Sequence, residues 1–353
     1  MGKGYVRGNK EEGMNTSDFD IQVPREMVAQ EPMEPRDHSK LLVYNRGTGK
    51  IVHTYFYQLP KFLNEGDCLV LNNTRVIPAR LRGNLDGEPM NEIVIVLLNK
   101  EYSTTWKALV EVGEVQEEDV IDFTGLYGQV IGLGEKVGKR KERIAFINIS
   151  DEDKLEKAGE PPIPPYIHGY KGDPEKYQTV YNKIRGSAAA PTAGLHFTVE
   201  LLETLRHSLI KLAFVTLQVG LDTFMPVLEE HPEEHKMYTE FCNISAETAE
   251  FINGVRRSGH RVIGVGTTSV RTMESAHNGK ELTSYNDWTS LYILPGYKFK
   301  SIDGMITNFH YPRSTNLIMI CALIGLEKVK EIYEEAVNVD YRFYSFGDSM
   351  LIL

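Results

Sequence analysis

The chain has 353 residues, a formal net charge of −10, 41% hydrophobic residues and 25% charged residues. That is long enough for two domains with cores of their own and ordinary for a soluble globular protein. It excludes a disordered chain, and the acidic balance argues against coating nucleic acid through bulk positive charge.

The first 13 residues are polar and glycine-rich without periodicity, and a disordered leader is expected there. Leu41 to Asn45 and Ile51 to Phe56 read as two strands paired around Gly47-Thr48-Gly49. From Asp67 to Ser150 short β-type runs follow one another with turn residues between them, which suggests a small antiparallel barrel. After Asp151 helical and strand patterns alternate. Helices are expected from Val199, Ala246, Thr268, Thr315 and Glu327, with strands at 213–219, 262–265, 291–294 and 305–309. The fold class is therefore α/β, a largely parallel sheet with flanking helices that carries an inserted small antiparallel β-barrel domain. The expected division is 14–66 plus 154–353 for the α/β domain and 67–153 for the barrel.

The longest unbroken apolar run, Leu317 to Ile324, is far short of the roughly 20 residues that span a bilayer. No apolar stretch follows the basic N-terminus, so a cytoplasmic protein without membrane contact is expected. Cys68, Cys242 and Cys321 are odd in number and widely separated, and reduced thiols are expected.

Ser187 to Thr198 reads Ser-Ala-Ala-Ala-Pro-Thr-Ala-Gly-Leu-His-Phe-Thr, too small in its side chains to fill a core, and it runs into a helix that Thr198 can cap. His196 then sits by a helix N-terminus, where N–H groups and the helix dipole favour negative charge. Val262 to Arg271 reads as strand, glycine turn and helix start. Gly264 and Gly266 permit close approach, Thr267 and Thr268 offer hydroxyls, and Arg271 can grip a carboxylate or phosphate. A plain capping turn with a surface arginine would read the same way. Thr307 to Thr315 repeats the layout with His310 at a strand end, so two histidines can converge as acid and base. Tyr166 and Tyr177 offer aromatic faces to a base, although core packing accounts for such a stripe as well. Arg80 and Arg82 share a strand face suited to phosphate, and Lys139 to Arg143 form a basic hairpin tip. His231-Pro232-Glu233-Glu234-His235 matches a metalloprotease pattern, but Pro232 allows at best a helix start there, and no metal site is assigned.

Read together, these segments resemble one family, the S-adenosylmethionine:tRNA ribosyltransferase-isomerases of queuosine biosynthesis. The likeness is carried by Asn72-Asn73-Thr74-Arg75-Val76-Ile77-Pro78-Ala79-Arg80, Pro164-Pro165-Tyr166-Ile167 and Tyr177-Gln178-Thr179-Val180-Tyr181. It continues through Ala190-Pro191-Thr192-Ala193-Gly194-Leu195-His196-Phe197-Thr198, Val265-Gly266-Thr267-Thr268-Ser269-Val270-Arg271, Thr307-Asn308-Phe309-His310 and Tyr341-Arg342-Phe343-Tyr344-Ser345-Phe346-Gly347-Asp348. The resemblance implies an α/β domain with an inserted barrel, S-adenosylmethionine as ribosyl donor and no metal. The implied acceptor is tRNA carrying 7-aminomethyl-7-deazaguanine at the wobble position. The products would be epoxyqueuosine-tRNA, adenine and methionine, and a monomer is expected.

On that footing His196, His310 and Arg271 are the catalytic candidates. Thr192, Gly194, Gly266, Thr267, Thr268, Tyr166, Tyr177 and Gln218 are the donor-binding candidates, and Arg75, Arg80, Lys139 and Arg140 the nucleic-acid-binding ones. Three positions depart from the family's usual pattern: Gln218 and Tyr238 stand where histidines are typical, and Asp222 where a glycine is. They leave open a paralogue with a small-molecule acceptor, or a tRNA-binding homologue without catalysis.

Overall fold

A computed structural model describes residues 13–85, 91–137, 141–220 and 226–353. Apart from Gly13, the expected leader lies outside the described residues, as do Lys139, Arg140 and Asp222. In chain order the strands are β1 (Lys40–Tyr44), β2 (Ile51–Tyr55), β3 (Cys68–Asn72), β4 (Thr74–Val76), β5 (Arg80–Leu85), β6 (Glu92–Lys100), β7 (Thr105–Glu111), β8 (Val120–Asp122), β9 (Tyr127–Lys136) and β10 (Glu142–Ile149). They continue with β11 (Gly159–Glu160), β12 (Ile184–Ser187), β13 (Lys211–Leu217), β14 (Glu240–Ile244), β15 (Val262–Val265), β16 (Tyr285–Thr289), β17 (Gly304–Asn308) and β18 (Ser349–Ile352). The helices are α1 (Leu155–Ala158), α2 (Val199–His207), α3 (Ala246–Arg257), α4 (Gly266–Ala276), α5 (Thr315–Ile324) and α6 (Leu326–Asn338).

Nine strands form one sheet in the order β16-β14-β13-β3-β15-β17-β18-β1-β2. Its centre, β13-β3-β15-β17, is parallel, and β1 runs parallel to β18. The other pairings, β1–β2, β13–β14, β14–β16 and β17–β18, are antiparallel, so the sheet is mixed. Helix patterns placed by periodicity are found within a few residues, with Thr198, Ser245 and Ser314 each accepting a cap bond at the start of α2, α3 and α5. The strand expected at 291–294 is absent, and the edge strand is Tyr285–Thr289 instead. The buried Ile293 and the half-buried Leu291 and Leu294 that suggested a strand are packed as irregular chain against the sheet's helices and loops.

Strands β5-β6-β7-β10-β9-β8 close on themselves through β5–β8 pairing into a six-stranded antiparallel barrel, with β11 added alongside β5. Its interior is packed with apolar side chains that include Leu81, Ile95, Trp106, Phe123 and Ile147. The barrel interrupts the sheet between β3 and β13, so it is an insertion. Its expected start at 67 is corrected: Cys68–Asn72 is buried along its whole length and lies at the middle of the nine-stranded sheet. An unbroken apolar run is what a strand covered on both faces requires, whereas a barrel strand alternates, as Arg80, Leu81 and Arg82 do.

Candidate active site

Val265 on β15 is in register with Ile306 on the parallel strand β17, so the two strands end at one rim. Beyond Val265, Gly266 takes a φ of +84°, a left-handed conformation that glycine adopts without strain, and α4 begins at once with no side-chain cap on its first turn. Beyond Asn308 the chain turns through His310. Asn308 is also opposite Ser349, the first residue of β18, which brings Tyr344 and Ser345 to the same rim. Ligands in α/β sheets sit at such strand ends, where helix N–H groups face outward.

A hollow opens there. Six residues singled out from the sequence line it, namely Tyr166, Thr192, Gly266, Thr267, Thr268 and His310. Ala193, Val219, Thr307, Asn308, Tyr311, Asn316, Tyr344 and Ser345 are among the others. About 550 Å³ of empty space lies inside it out to its mouth, of which about 40 Å³ can seat the centre of a water molecule. Anything nucleoside-sized must therefore extend toward the mouth.

None of the described lining residues carries a charge at neutral pH. Burial pushes the His310 imidazole down to about 3, so it is neutral. Its Nε2 is 2.8 Å from Thr307 Oγ1, and its backbone N–H donates to Tyr333 Oη at 2.7 Å. Tyr166 shares a 2.7 Å hydrogen bond with Ser345 Oγ, and burial pushes its phenol up to about 12. The Tyr166 ring is 5.0 Å from that of Tyr344 and 6.0 Å from that of Tyr311, and those two are 6.1 Å apart. Two polar atoms in the wall, Thr268 Oγ1 and Asn308 Oδ1, are buried without a hydrogen-bond partner.

Several expected site residues lie elsewhere. His196 is one layer behind the wall, 4% exposed, with Nδ1 2.8 Å from Ser39 Oγ and its ring stacked on Phe56. Burial, with Arg342 nearby, lowers it to about 3, although the adjacent Asn308 side chain pulls the other way. Arg271 is buried against the sheet and paired with Glu240, and its Nε donates to Leu291 O at 3.1 Å; it does not reach the hollow. It shares a helix face with Thr267 but is one turn further from the α4 N-terminus, where its side chain meets Glu240 on β14 instead of the hollow. Tyr177 is a core residue, 1% exposed, with its ring edge-on to Phe346, so it offers no face to a ligand. Gly194 gives close approach not to a ligand but to Tyr181: a Cβ there would be 2.1 Å from the Tyr181 hydroxyl.

The nucleic-acid candidates are dispersed. Arg75 is held by Glu175 and, at 2.8 Å, by Asn182. Arg80 is on β5 with its Nε buried and unpartnered. Tyr238 packs against the barrel residues Leu98, Val137 and Ile144, and the neighbouring Lys236 pairs with Glu135 at 2.7 Å, so this loop docks on the barrel. The two histidines of the metalloprotease-like pattern diverge, His231 to Met14 O at 3.1 Å and His235 to Glu229 at 3.0 Å. Among the described residues no group of three or more His, Cys, Asp or Glu could hold a metal ion, and no helix is long and apolar enough to cross a membrane. The three cysteines are free and buried.

Gln218 lines a second cavity at the junction with the barrel, where about 440 Å³ can seat a water centre. Its walls include Lys100, Trp106, Glu152, Asp153, Glu156 and Arg185. Lys100 pairs with Glu152 at 2.7 Å, Arg185 pairs with Glu156, and the Trp106 indole N–H donates to Glu152 at 3.2 Å. Gln218 and Val219 are consecutive residues just beyond β13, and the first lines this cavity while the second lines the rim hollow.

Sequence reasoning missed Thr307, Asn308, Tyr311, Tyr344 and Ser345 as wall residues. A usable signal was present for Asn308: an amide closing the strand pattern Met305-Ile306-Thr307, two residues before His310, needs a partner if that strand is buried.

A mixed α/β sheet with an inserted barrel, and an uncharged hollow at parallel strand ends below an uncapped helix, defines a ligand-binding α/β enzyme architecture. The chain belongs to the family described as queuosine biosynthesis protein, whose model matches residues 16–352. It is 47% identical over 344 residues to the S-adenosylmethionine:tRNA ribosyltransferase-isomerase of Thermoanaerobacter sp. (strain X514), covering 96% of this chain and all of that one. It is 45% identical, with the same coverage, to the protein of that name from Dehalococcoides mccartyi (strain CBDB1). The crystal structure of the S-adenosylmethionine tRNA ribosyltransferase from Thermotoga maritima is similar, with a TM-score of 0.55 and 35% identity over 95% of this chain and all of that one.

Proposed function

We propose that the chain is an S-adenosylmethionine:tRNA ribosyltransferase-isomerase, moving the ribosyl part of S-adenosylmethionine onto the amine of 7-aminomethyl-7-deazaguanine in tRNA, with adenine and methionine leaving. The observation that carries this reading is the rim hollow. It gathers Tyr166, Thr192, Gly266, Thr267, Thr268 and His310 from distant parts of a chain 47% identical to an enzyme of that name. The residues fit such a donor. Buried acceptor and hydroxyl groups without partners line the innermost part, and three tyrosine rings line the hollow as flat apolar surfaces for a nucleoside.

The sulfonium acidifies the carbon next to it, so a base can open the reaction, and departing adenine then needs a proton. His310, an imidazole on the wall of the hollow held by Thr307, is the candidate for this proton exchange, although burial works against its charged form. His196, sealed behind Asn308, orients the wall rather than touching the reacting atoms. Of the three departures that raised the alternatives of another acceptor or of lost catalysis, Gln218 and Tyr238 lie outside the hollow, and Asp222 lies outside the described residues. No observation favours either alternative.

Incubating the protein with S-adenosylmethionine and tRNA bearing the aminomethyl base is expected to release adenine stoichiometrically with tRNA modification. Release that is equally fast without tRNA, or none with correctly modified tRNA, overturns the assignment.

A further inference from the structure

The polar groups of the rim hollow have a definite arrangement. On one side is the N-terminus of α4, an 11-residue helix whose first turn has no side-chain cap, with the Thr268 hydroxyl buried and unpartnered beside it. Donors and a positive dipole end meet there. On the other side is Asn308, 1% exposed, at the end of the next strand. Its Nδ2 donates to Tyr344 O at 3.0 Å, which fixes the amide so that Oδ1, unpartnered, can only accept. Behind it stands His196, held by Ser39 at Nδ1, with its Nε2 short of full hydrogen-bond geometry to any partner and its ring in favourable contact with the Asn308 side chain. A carbonyl oxygen has two lone pairs, so His196 can steady one while the other serves a ligand.

The Val265–Ile306 register brings the C-terminal ends of two neighbouring strands to one rim, so the α4 N-terminus that follows β15 and Asn308 at the end of β17 border the same hollow. A donor-rich helix end and a fixed acceptor lining one hollow, without charged side chains among its described walls, match the two ends of a zwitterion. S-adenosylmethionine has one, the amino-acid end of its methionine arm. Adenine alone, with donors and acceptors but no anion, would leave the helix end unanswered.

We propose that the α4 N-terminus and Asn308 bind the amino-acid end of the donor, the carboxylate on the first-turn N–H groups and Thr268 Oγ1, the α-ammonium on Asn308 Oδ1. This rests on S-adenosylmethionine being the donor. It fixes the direction in which the donor lies, with the methionine arm innermost and the adenine toward the mouth.

The test is equilibrium calorimetry on the full chain with four ligands: S-adenosylmethionine, S-adenosylhomocysteine, decarboxylated S-adenosylmethionine and 5′-methylthioadenosine, which lacks the amino-acid end. Asn308→Leu is expected to weaken S-adenosylmethionine and S-adenosylhomocysteine about tenfold, the scale of one charge-assisted hydrogen bond. Binding of 5′-methylthioadenosine should stay within about twofold, which also reports that the site is folded. Thr268→Val is expected to weaken only the ligands that carry a carboxylate. If 5′-methylthioadenosine loses as much as S-adenosylmethionine in Asn308→Leu, the residue contacts the nucleoside and the amino-acid assignment falls alone. Wild-type protein that binds none of the four overturns the donor reading and this assignment with it.

Discussion

At the rim of the nine-stranded sheet, the hollow between α4 and β17 has no charged side chain among its described walls and about 40 Å³ of room for water centres. The cavity at the barrel junction has about 440 Å³ and is lined by Lys100, Arg185, Glu152, Asp153 and Glu156. The contrast follows from what each can recognise. Backbone N–H groups and fixed amides do not need counter-ions, so a small zwitterion can be held without a desolvated charge of the protein's own. The junction cations are already partnered by carboxylates, and any phosphate that reaches them must displace those partners. Such exchanges are weak one at a time and sensitive to salt.

The largest expected effect tests how the uncharged hollow is supported. Arg271 and Glu240 are 6% and 2% exposed and paired with each other, and Glu240 Oε1 also accepts the Gly220 N–H at 2.7 Å, one residue beyond the wall residue Val219. Arg271→Leu strands a buried carboxylate and is expected to cost about 3–5 kcal/mol in urea unfolding, the range for breaking one partner of a buried pair. Adding Glu240→Gln should recover much of that loss. A cost below about 1 kcal/mol, the range of an exposed pair, would mean that the pair is not a support.

Next in size is catalysis in the hollow. His310→Gln keeps a hydrogen-bonding side chain beside Thr307 but cannot exchange a proton, and kcat is expected to fall about 100-fold or more while S-adenosylmethionine affinity stays within about twofold. Affinity and kcat falling together would make His310 a binding residue instead.

A smaller effect comes from pH. His196 and His310 both sit near 3 in the folded chain, against about 6.5 when unfolded. Between those values the unfolded chain binds more protons than the folded one. Stability is therefore fully present above about 6.5 and falls as pH is lowered toward 3, by at most about 1.4 kcal/mol per pH unit for each histidine. Thermal midpoints between pH 7 and 5 should drop in the wild type and drop less in His196→Gln. Equal slopes would show that His196 titrates normally and is not sealed behind Asn308.

The same contrast separates what could be read in the sequence from what could not. The helices and the barrel were legible because periodicity and capping are local: Ser245, Thr198 and Ser314 announce their helices. Five of the six anticipated hollow residues, Thr192, Gly266, Thr267, Thr268 and His310, sit between a strand and the helix after it, where the chain itself indicates a ligand, and Tyr166 was legible as an aromatic face. Burial was not legible. Arg271 has the same letters around it whether it faces a ligand or Glu240, and Tyr177 the same aromatic neighbours whether it stacks on a base or on Phe346. Cys68–Asn72 was assigned to the barrel because it precedes barrel strands, while its place between β13 and β15 depends on partners some 140 and 190 residues away.

The smallest expected effect tests the charged side of the contrast. Arg185 pairs with Glu156, with about half of each side chain exposed, so Arg185→Ala should change stability by less than about 1 kcal/mol. If the junction meets the tRNA backbone, the variant should bind tRNA a few-fold more weakly at low salt. The slope of log affinity against log salt should then fall by about 0.7–0.9 for the one phosphate lost. The affinities of variant and wild type would converge as salt is raised, since the lost term is the one that salt screens. S-adenosylmethionine binding should be unaffected, because Arg185 lies beyond the Gln218–Val219 partition from the hollow. An unchanged salt slope would place the tRNA backbone elsewhere, and the junction's ion pairs would then serve only to hold the barrel against the sheet.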